Sequence, residues 1–306
     1  MTSYVKLTID DNKAVSAEAI RELLLEAGAD DCGSVSVDAP GLESEKEIVL
    51  KHVPWAKTFV SFVVRMNTES LRSTARSLAN NEFHQAGHEV DNISRTATRA
   101  LESAGFRAVA PPMGFPMEMD NWPERPWVVA HKPVAEAAGM GVMGIHRCVI
   151  HPALGSSILL GTLITDAEIK DHAQPLDFNP CFECRLCVAA CPTGAIKTDG
   201  SFDFASCYTH NYREFMSGFS DWVETIADSG NARQYRKRVA DHESVSMWQS
   251  LGFGPNYKAA YCIAVCPAGE NIIKPYKENK KQFIDDTVRP FRQKEETIYA
   301  VKGSDV

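Results

Sequence analysis

Seven of the nine cysteines fall between residues 181 and 266, and the spacing of the first four constrains this chain more than any other feature. In Cys181-x-x-Cys184-x-x-Cys187-x-x-x-Cys191-Pro192, three thiolates on one loop take three corners of a cubane iron–sulfur cluster. The fourth cysteine lies on the next turn and points to a different cluster. Thiolate is the soft ligand that iron in such clusters prefers.

A second piece repeats the first. Cys187-x-x-x-Cys191-Pro192-Thr193-Gly194 matches Cys262-x-x-x-Cys266-Pro267-Ala268-Gly269. By the exchange that two-cluster proteins make, Cys181, Cys184, Cys187 and Cys266 hold one cluster, and Cys191 joins Cys262 on the other. Cys207, the remaining cysteine of the region, is the natural third ligand of that second cluster. A full repeat would place a cysteine three residues before Cys262, where Ala259 stands. The second cluster is therefore expected to be one thiolate short. Either it is a three-iron cluster, or its fourth iron takes an oxygen or nitrogen ligand, with His210, Tyr257 or water as candidates. A zinc ribbon also uses paired cysteines but needs neither this series nor two Cys-Pro repeats. Cys32 and Cys148 sit in apolar runs and read as small buried hydrophobes.

Cysteines gathered this way suit metal ligation in a reducing compartment better than disulfides. The N-terminus carries no apolar stretch after a basic start, and no run of about 18 apolar residues occurs, so the expected location is the cytoplasm. A net charge of −8 argues against a nucleic-acid surface.

About 180 residues precede the cysteines, more than a bare electron carrier requires. Residues 15–28 show helical apolar spacing closed by a glycine. Cys32–Val37 and Thr58–Val64 read as strands, residues 68–104 as a long helix with a break near Gly87, and Phe106–Ala110 as another strand. Residues 111–127, rich in Pro, Met and Trp, form a long loop of the kind that serves a site. A short helix over 133–138 and strands over 147–150 and 156–164 complete an alternating α/β layer. The divisions expected are an α/β domain over 1–176, a ferredoxin-like domain over 177–275 with a helical insert at 208–258, and a charged tail over 276–306.

The segment His131-Lys132-Pro133-Val134-Ala135-Glu136-Ala137-Ala138-Gly139-Met140-Gly141-Val142-Met143-Gly144, then Ile150-His151-Pro152-Ala153-Leu154-Gly155 and Leu159-Leu160-Gly161-Thr162-Leu163-Ile164-Thr165-Asp166, resembles the epoxyqueuosine reductase and reductive dehalogenase superfamily, in which these turns precede two ferredoxin motifs in the same order. The similarity covers about residues 130–275. It implies an α+β fold: a nitroreductase-like cobalamin-binding α/β domain followed by a bacterial two-cluster ferredoxin-like domain. It also implies a corrinoid-dependent reductase in which clusters feed cobalamin for reductive cleavage of a carbon–heteroatom bond. A non-catalytic electron-transfer or corrinoid-activating protein is the alternative, and a flavin-using reductase is a third reading. The expected partners are a ferredoxin- or flavodoxin-type donor and a small-molecule substrate.

On that resemblance, Gly139, Gly141, Gly144 and Gly155 are expected to contact the corrin, since a flat macrocycle is best approached by backbone without Cβ atoms. His131, Lys132 and His151 are expected beside them. Three departures stand out. Where epoxyqueuosine reductases carry a proton-donating aspartate, this chain has Arg125 with Glu124 beside it. The helical repeats that follow the clusters in those relatives are not matched. The insert between Cys207 and Cys262 is long. It holds several tyrosines, of which Tyr208 and Tyr212, with Glu124 and His131, are the candidate proton donors, and it is read as a cap over the substrate side.

Overall fold

The computed structural model describes Leu7, residues 15–120 and residues 125–301. Strand β1 (Val15–Ser16) runs into helix α1 (Ala17–Glu26), whose start is fixed by the Ser16 hydroxyl accepting the Ala19 amide at 3.0 Å. Strand β2 (Asp31–Ser36), helix α2 (Glu43–His52) and strand β3 (Thr58–Arg65) follow. The expected 68–104 helix is two helices. α3 (Thr68–Arg72) ends at Ser73, and α4 (Arg76–Ser103) runs unbroken through Gly87. That glycine does not end the helix because its missing side chain is filled from outside: a Cβ there would meet Met113 Cε at 3.0 Å.

Strand β4 (Ala108–Val109), helix α5 (His131–Ala137), the hairpin β5 (Val142–Met143) and β6 (Val149–Ile150), strand β7 (Ile158–Thr165) and strand β8 (Ile169–Lys170) complete the α/β part. β2, β3, β7 and β4 form an antiparallel sheet in the order β2-β3-β7-β4. In β3 the alternation of a strand sends Val60, Phe62 and Val64 to one core with α1 and α4, and Phe59 and Val63 to another with α2 and α5. Both faces of the sheet are covered, which accounts for the near-continuous apolar reading of β3. The chain is thus mixed α+β, as expected.

In the cysteine-rich part, α6 (Leu186–Ala190), α7 (Phe204–Asn211), a π-helical turn (Arg213–Ser217), α8 (Phe219–Ala227), α9 (Ala232–Arg238), α10 (Asp241–Phe253) and α11 (Tyr261–Ala264) surround the metal-ligand loops. Leu186, Ala190, Tyr261 and Val265 join the same core as α1 and α4, so this part is seated on the sheet's helices. The insert is tied down by Glu214. Its carboxylate, almost wholly buried, pairs with Lys258 and accepts from Ser246 and from Ser250 at 2.6 Å. The loop after β4 reaches the insert through an edge-on contact of Phe115 with Phe215, ring centroids 5.6 Å apart.

The expected charged tail is corrected. α12 (Lys274–Glu278), α13 (Lys280–Thr287) and α14 (Arg289–Gln293) fold back with Tyr276, Phe283 and Phe291 buried. Phe291 stacks on Tyr261 at 4.4 Å. Aromatic residues spaced seven to eight apart among charged ones explain why a segment that is charged on average still packs. No helix among the described residues is long and apolar enough to cross a membrane.

Candidate metal centre

The two halves of the cysteine repeat have the same backbone. Arg185 (φ 55°) and Ala260 (φ 59°) are both left-handed, and each precedes a one-turn helix, α6 or α11, that carries the next cysteine. Non-glycine residues seldom adopt this conformation, and here it turns each loop so that sulfur and amide groups face one point. Glu183 is left-handed as well (φ 60°).

Cys181, Cys184, Cys187 and Cys266 line one cavity, closed by Ile145, His146, Ile150, Phe182 and Ala268. This is the four-thiolate set expected from the exchange rule. Cys187 and Cys266 are buried, while Phe182 is exposed at the rim. The Ile145 amide donates to Cys181 Sγ at 3.4 Å, a contact of the kind that raises a cluster's reduction potential by stabilising added charge.

A second set gathers on the other side of His146. The Cys207 thiol lies near Cys191 and Cys148, and burial pushes it up to about 11. Cys262 lies beside Cys148, and their contact drives the Cys148 thiol down and the Cys262 thiol up. Lys132 and His146 add positive charge beside Cys148. Thr193 Oγ1 lies 3.7 Å from Cys191 Sγ. Among the described residues no three side chains converge tightly enough for a single metal ion. A cubane, which stands its ligands apart by its own width, does not require that.

The reading of Cys148 as a buried hydrophobe is therefore corrected. It sits in the tight turn between β5 and β6, where Arg147 is left-handed (φ 61°) and the Gly144 amide donates to the Cys148 carbonyl at 3.0 Å. The turn pushes the cysteine out of the strand and toward Cys262. His146, 4% exposed, is the second residue that sequence reasoning missed. Its ring is buried beside the sulfurs of Cys148 and Cys266, so it stands between the two thiolate sets. The signal for Cys148 was present in the sequence: a second set one thiolate short, and two cysteines left over.

Of the non-cysteine candidates, His210 has one ring nitrogen engaged: Nδ1 accepts the Tyr299 amide at 3.3 Å and the ring stacks on Tyr299, while the buried Nε2 has no hydrogen-bond partner among the described atoms. Tyr257 packs in an aromatic group with Phe83, Tyr212 and Phe215. Cys32 is buried in β2, its thiol pushed up to about 12 by burial. For Cys32 the plain packing role holds.

The glycines expected to cradle a corrin are each filled by the chain itself. A Cβ on Gly139 (φ 72°) would meet the Gln174 carbonyl at 2.8 Å, one on Gly141 the Ile150 carbonyl, one on Gly144 Ile150 Cδ1 at 2.8 Å, and one on Gly155 (φ 66°) the Ala268 carbonyl. In the direction a Cβ would take, each of these glycines is in close approach to the protein itself. His151 is likewise taken up. Its Nε2 meets Asp31 Oδ2 at 3.1 Å, and its Nδ1 accepts the Ala153 and Leu154 amides. Burial would raise the Asp31 carboxyl, but hydrogen bonds from His151 and Arg21 hold it down at about 2.

His131 caps nothing open either. Its Nδ1 lies 2.9 Å from Thr162 Oγ1 and its Nε2 3.0 Å from the Pro112 carbonyl. Lys132 donates to the Arg147 carbonyl at 2.6 Å, beside the second thiolate set. Of the candidate proton donors, Tyr208 and Tyr212 come to that set. Tyr212 lies near Cys207, Cys148 and Cys262, and burial raises its hydroxyl strongly; Tyr208 packs edge-on against it. Glu124 lies outside the described residues. Its neighbour Arg125 is a clasp: it pairs through both terminal nitrogens with the buried Glu45, which also accepts the Ala130 amide at 2.8 Å.

A family model described as a 4Fe-4S binding domain matches residues 175–197, the stretch that holds the first four cysteines. The epoxyqueuosine reductase of Aliivibrio fischeri is 32% identical over 97 residues, 30% of this chain and 26% of the relative. That of Escherichia coli K12 is 33% identical over 90 residues, 28% of this chain and 23% of the relative. The chain thus matches about a quarter of the length of these relatives, and over that stretch the resemblance to epoxyqueuosine reductases is borne out. Among solved structures, the epoxyqueuosine reductase of Streptococcus thermophilus overlaps 88% of this chain and 74% of its own at a TM-score of 0.44 and 17% identity. A catabolic reductive dehalogenase overlaps 59% and 25% at 0.47 and 20%.

Proposed function

From that kinship we propose that the chain is an iron–sulfur oxidoreductase: a donor protein delivers electrons singly, two clusters relay them, and the α/β part holds the group and the substrate that receive them. The observation that carries this reading is the pair of four-cysteine groupings, one lined by Phe182 and His146 and the other beside His146, Lys132 and Tyr212. Two clusters that flank one buried side chain are the arrangement a relay needs.

The corrinoid that the resemblance implies would supply low-valent cobalt for cleavage of a carbon–heteroatom bond. The glycines assigned to it are filled by the protein in the Cβ direction, and both ring nitrogens of His131 and of His151 are engaged within the chain. What the chain's own groups do is clearer. Lys132 offsets thiolate charge at the second set. Tyr212 and Tyr208, held protonated by burial, keep protons in reserve next to it. The loop at 111–120 meets the insert through Phe115 and Phe215.

Anaerobic reconstitution with iron and sulfide, followed by separate exposure to hydroxocobalamin and to flavin and desalting, tests the acceptor. Stoichiometric retention of corrinoid supports the corrinoid reductase. Retention of flavin alone replaces the acceptor. Retention of neither leaves an electron carrier.

A further inference from the structure

We propose that Cys148 is the fourth ligand of the second cluster, so that this cluster is held by three thiolates of the ferredoxin-like part, Cys191, Cys207 and Cys262, and one from the α/β part. The inference rests on the two-cluster reading and goes beyond it, because the thiolate comes from outside the cysteine motif.

The shared backbone of the two loops shows what is missing. Ala260 matches Arg185 in conformation and in its place before the one-turn helix, so Ala259 occupies the position of Cys184. Ala259 is buried, its amide tied to Asn211 Oδ1 at 3.0 Å and its carbonyl to Arg76 at 2.7 Å. It offers a methyl group where the other loop offers sulfur. Cys148 makes good the deficit from the opposite side, in contact with Cys262 and close to Cys207.

The surroundings of Cys148 are built for a thiolate. His146 Nδ1 accepts the Cys148 amide at 3.1 Å, which leaves the ring proton on Nε2. That atom is buried and has no hydrogen-bond partner among the described atoms, and its neighbours are the sulfurs of Cys148 and Cys266. A buried N–H without an oxygen acceptor, set between two thiolate groups, is satisfied by cluster sulfur. Lys132, anchored on the Arg147 carbonyl, adds a cation on the same side. A cubane stands the sulfurs of Cys148 and Cys262 further apart than they lie here, a separation that rotation about the Cα–Cβ bonds supplies. Each iron–thiolate bond forms as the thiol proton passes to solvent.

The consequence is mechanical as well as electronic. A cluster ligated from both parts staples the β5–β6 turn to the ferredoxin-like loops.

The test uses full-length protein reconstituted anaerobically, as wild type, Cys148→Ala, Cys148→Ala with Ala259→Cys, and Cys32→Ala as control. Iron is counted, and the oxidised protein is examined by electron paramagnetic resonance. Wild type and Cys32→Ala should be silent. Cys148→Ala should lose about one-eighth of its iron and show the signal of a three-iron cluster. The double variant, with the thiolate restored within the motif, should return to silence. A Cys148→Ala protein that keeps all its iron and stays silent overturns the assignment while leaving two clusters in place. A wild type that takes up no second cluster overturns the two-cluster reading itself. Should Cys148→Ala fail to fold, maleimide labelling of wild type decides: Cys148 protected on cluster loading supports ligation, and equal labelling before and after overturns it.

Discussion

Arg125 shows how one residue's partners decide its role. It was expected in place of an acid, and its charge goes to Glu45, a carboxylate 3% exposed at the start of α2. Removing one member of such a pair leaves a buried charge uncompensated, at a cost of roughly 3–5 kcal/mol. Arg125→Met is therefore expected to lower stability by that amount in denaturant unfolding, and a change below about 1 kcal/mol would show that Glu45 finds another partner. His210 gives a pH dependence. It is 1% exposed, and burial lowers its imidazole below the ordinary 6.5, with Glu296 opposing. A folded-state value below the unfolded one means that the contribution is intact above about 6.5 and is lost as pH falls below it. The thermal midpoint should thus fall between about pH 7 and 5.5, and His210→Gln should flatten part of that slope. An unchanged slope would place the titration elsewhere.

Among the elements, the β5–β6 hairpin and the turn after it carry the most. Gly155 was expected to touch a cofactor. Instead it lies against the Ala268 carbonyl in the Cys-Pro loop of Cys266, with φ 66°. Gly155→Ala meets both a steric and a conformational penalty, of order 1–3 kcal/mol for the backbone alone. It is expected to loosen the seat of Cys266, so that clusters are lost to a chelator faster than from wild type. Equal rates would return Gly155 to the list of ligand contacts. At this scale the sequence was legible where local rules suffice. The strand at 58–64, the helix starting at Ser16 and the Cys-Pro repeat all follow from spacing and capping. It was illegible where a short polar turn decides. Cys148 sits beside Val149 and Ile150, which pair as a strand, and only the left-handed Arg147 turns it away from them. The glycines misled for the converse reason: a missing Cβ reads the same whether backbone or ligand fills the space.

Across the whole molecule, the core shared by α1, α4, Tyr261 and Phe291 makes the cysteine-rich part continuous with the α/β part. The helices α12 to α14 close over it, although their composition gives them the look of a solvated tail. The two thiolate sets flank His146, and Tyr212 of the insert lies beside the second. Iron, acid-labile sulfide and zinc in the anaerobically purified protein decide whether both sets hold iron. About eight irons and eight sulfides per chain are expected, as two four-iron clusters require, with zinc absent; four irons, or zinc in place of iron, would show that at least one set holds no iron cluster.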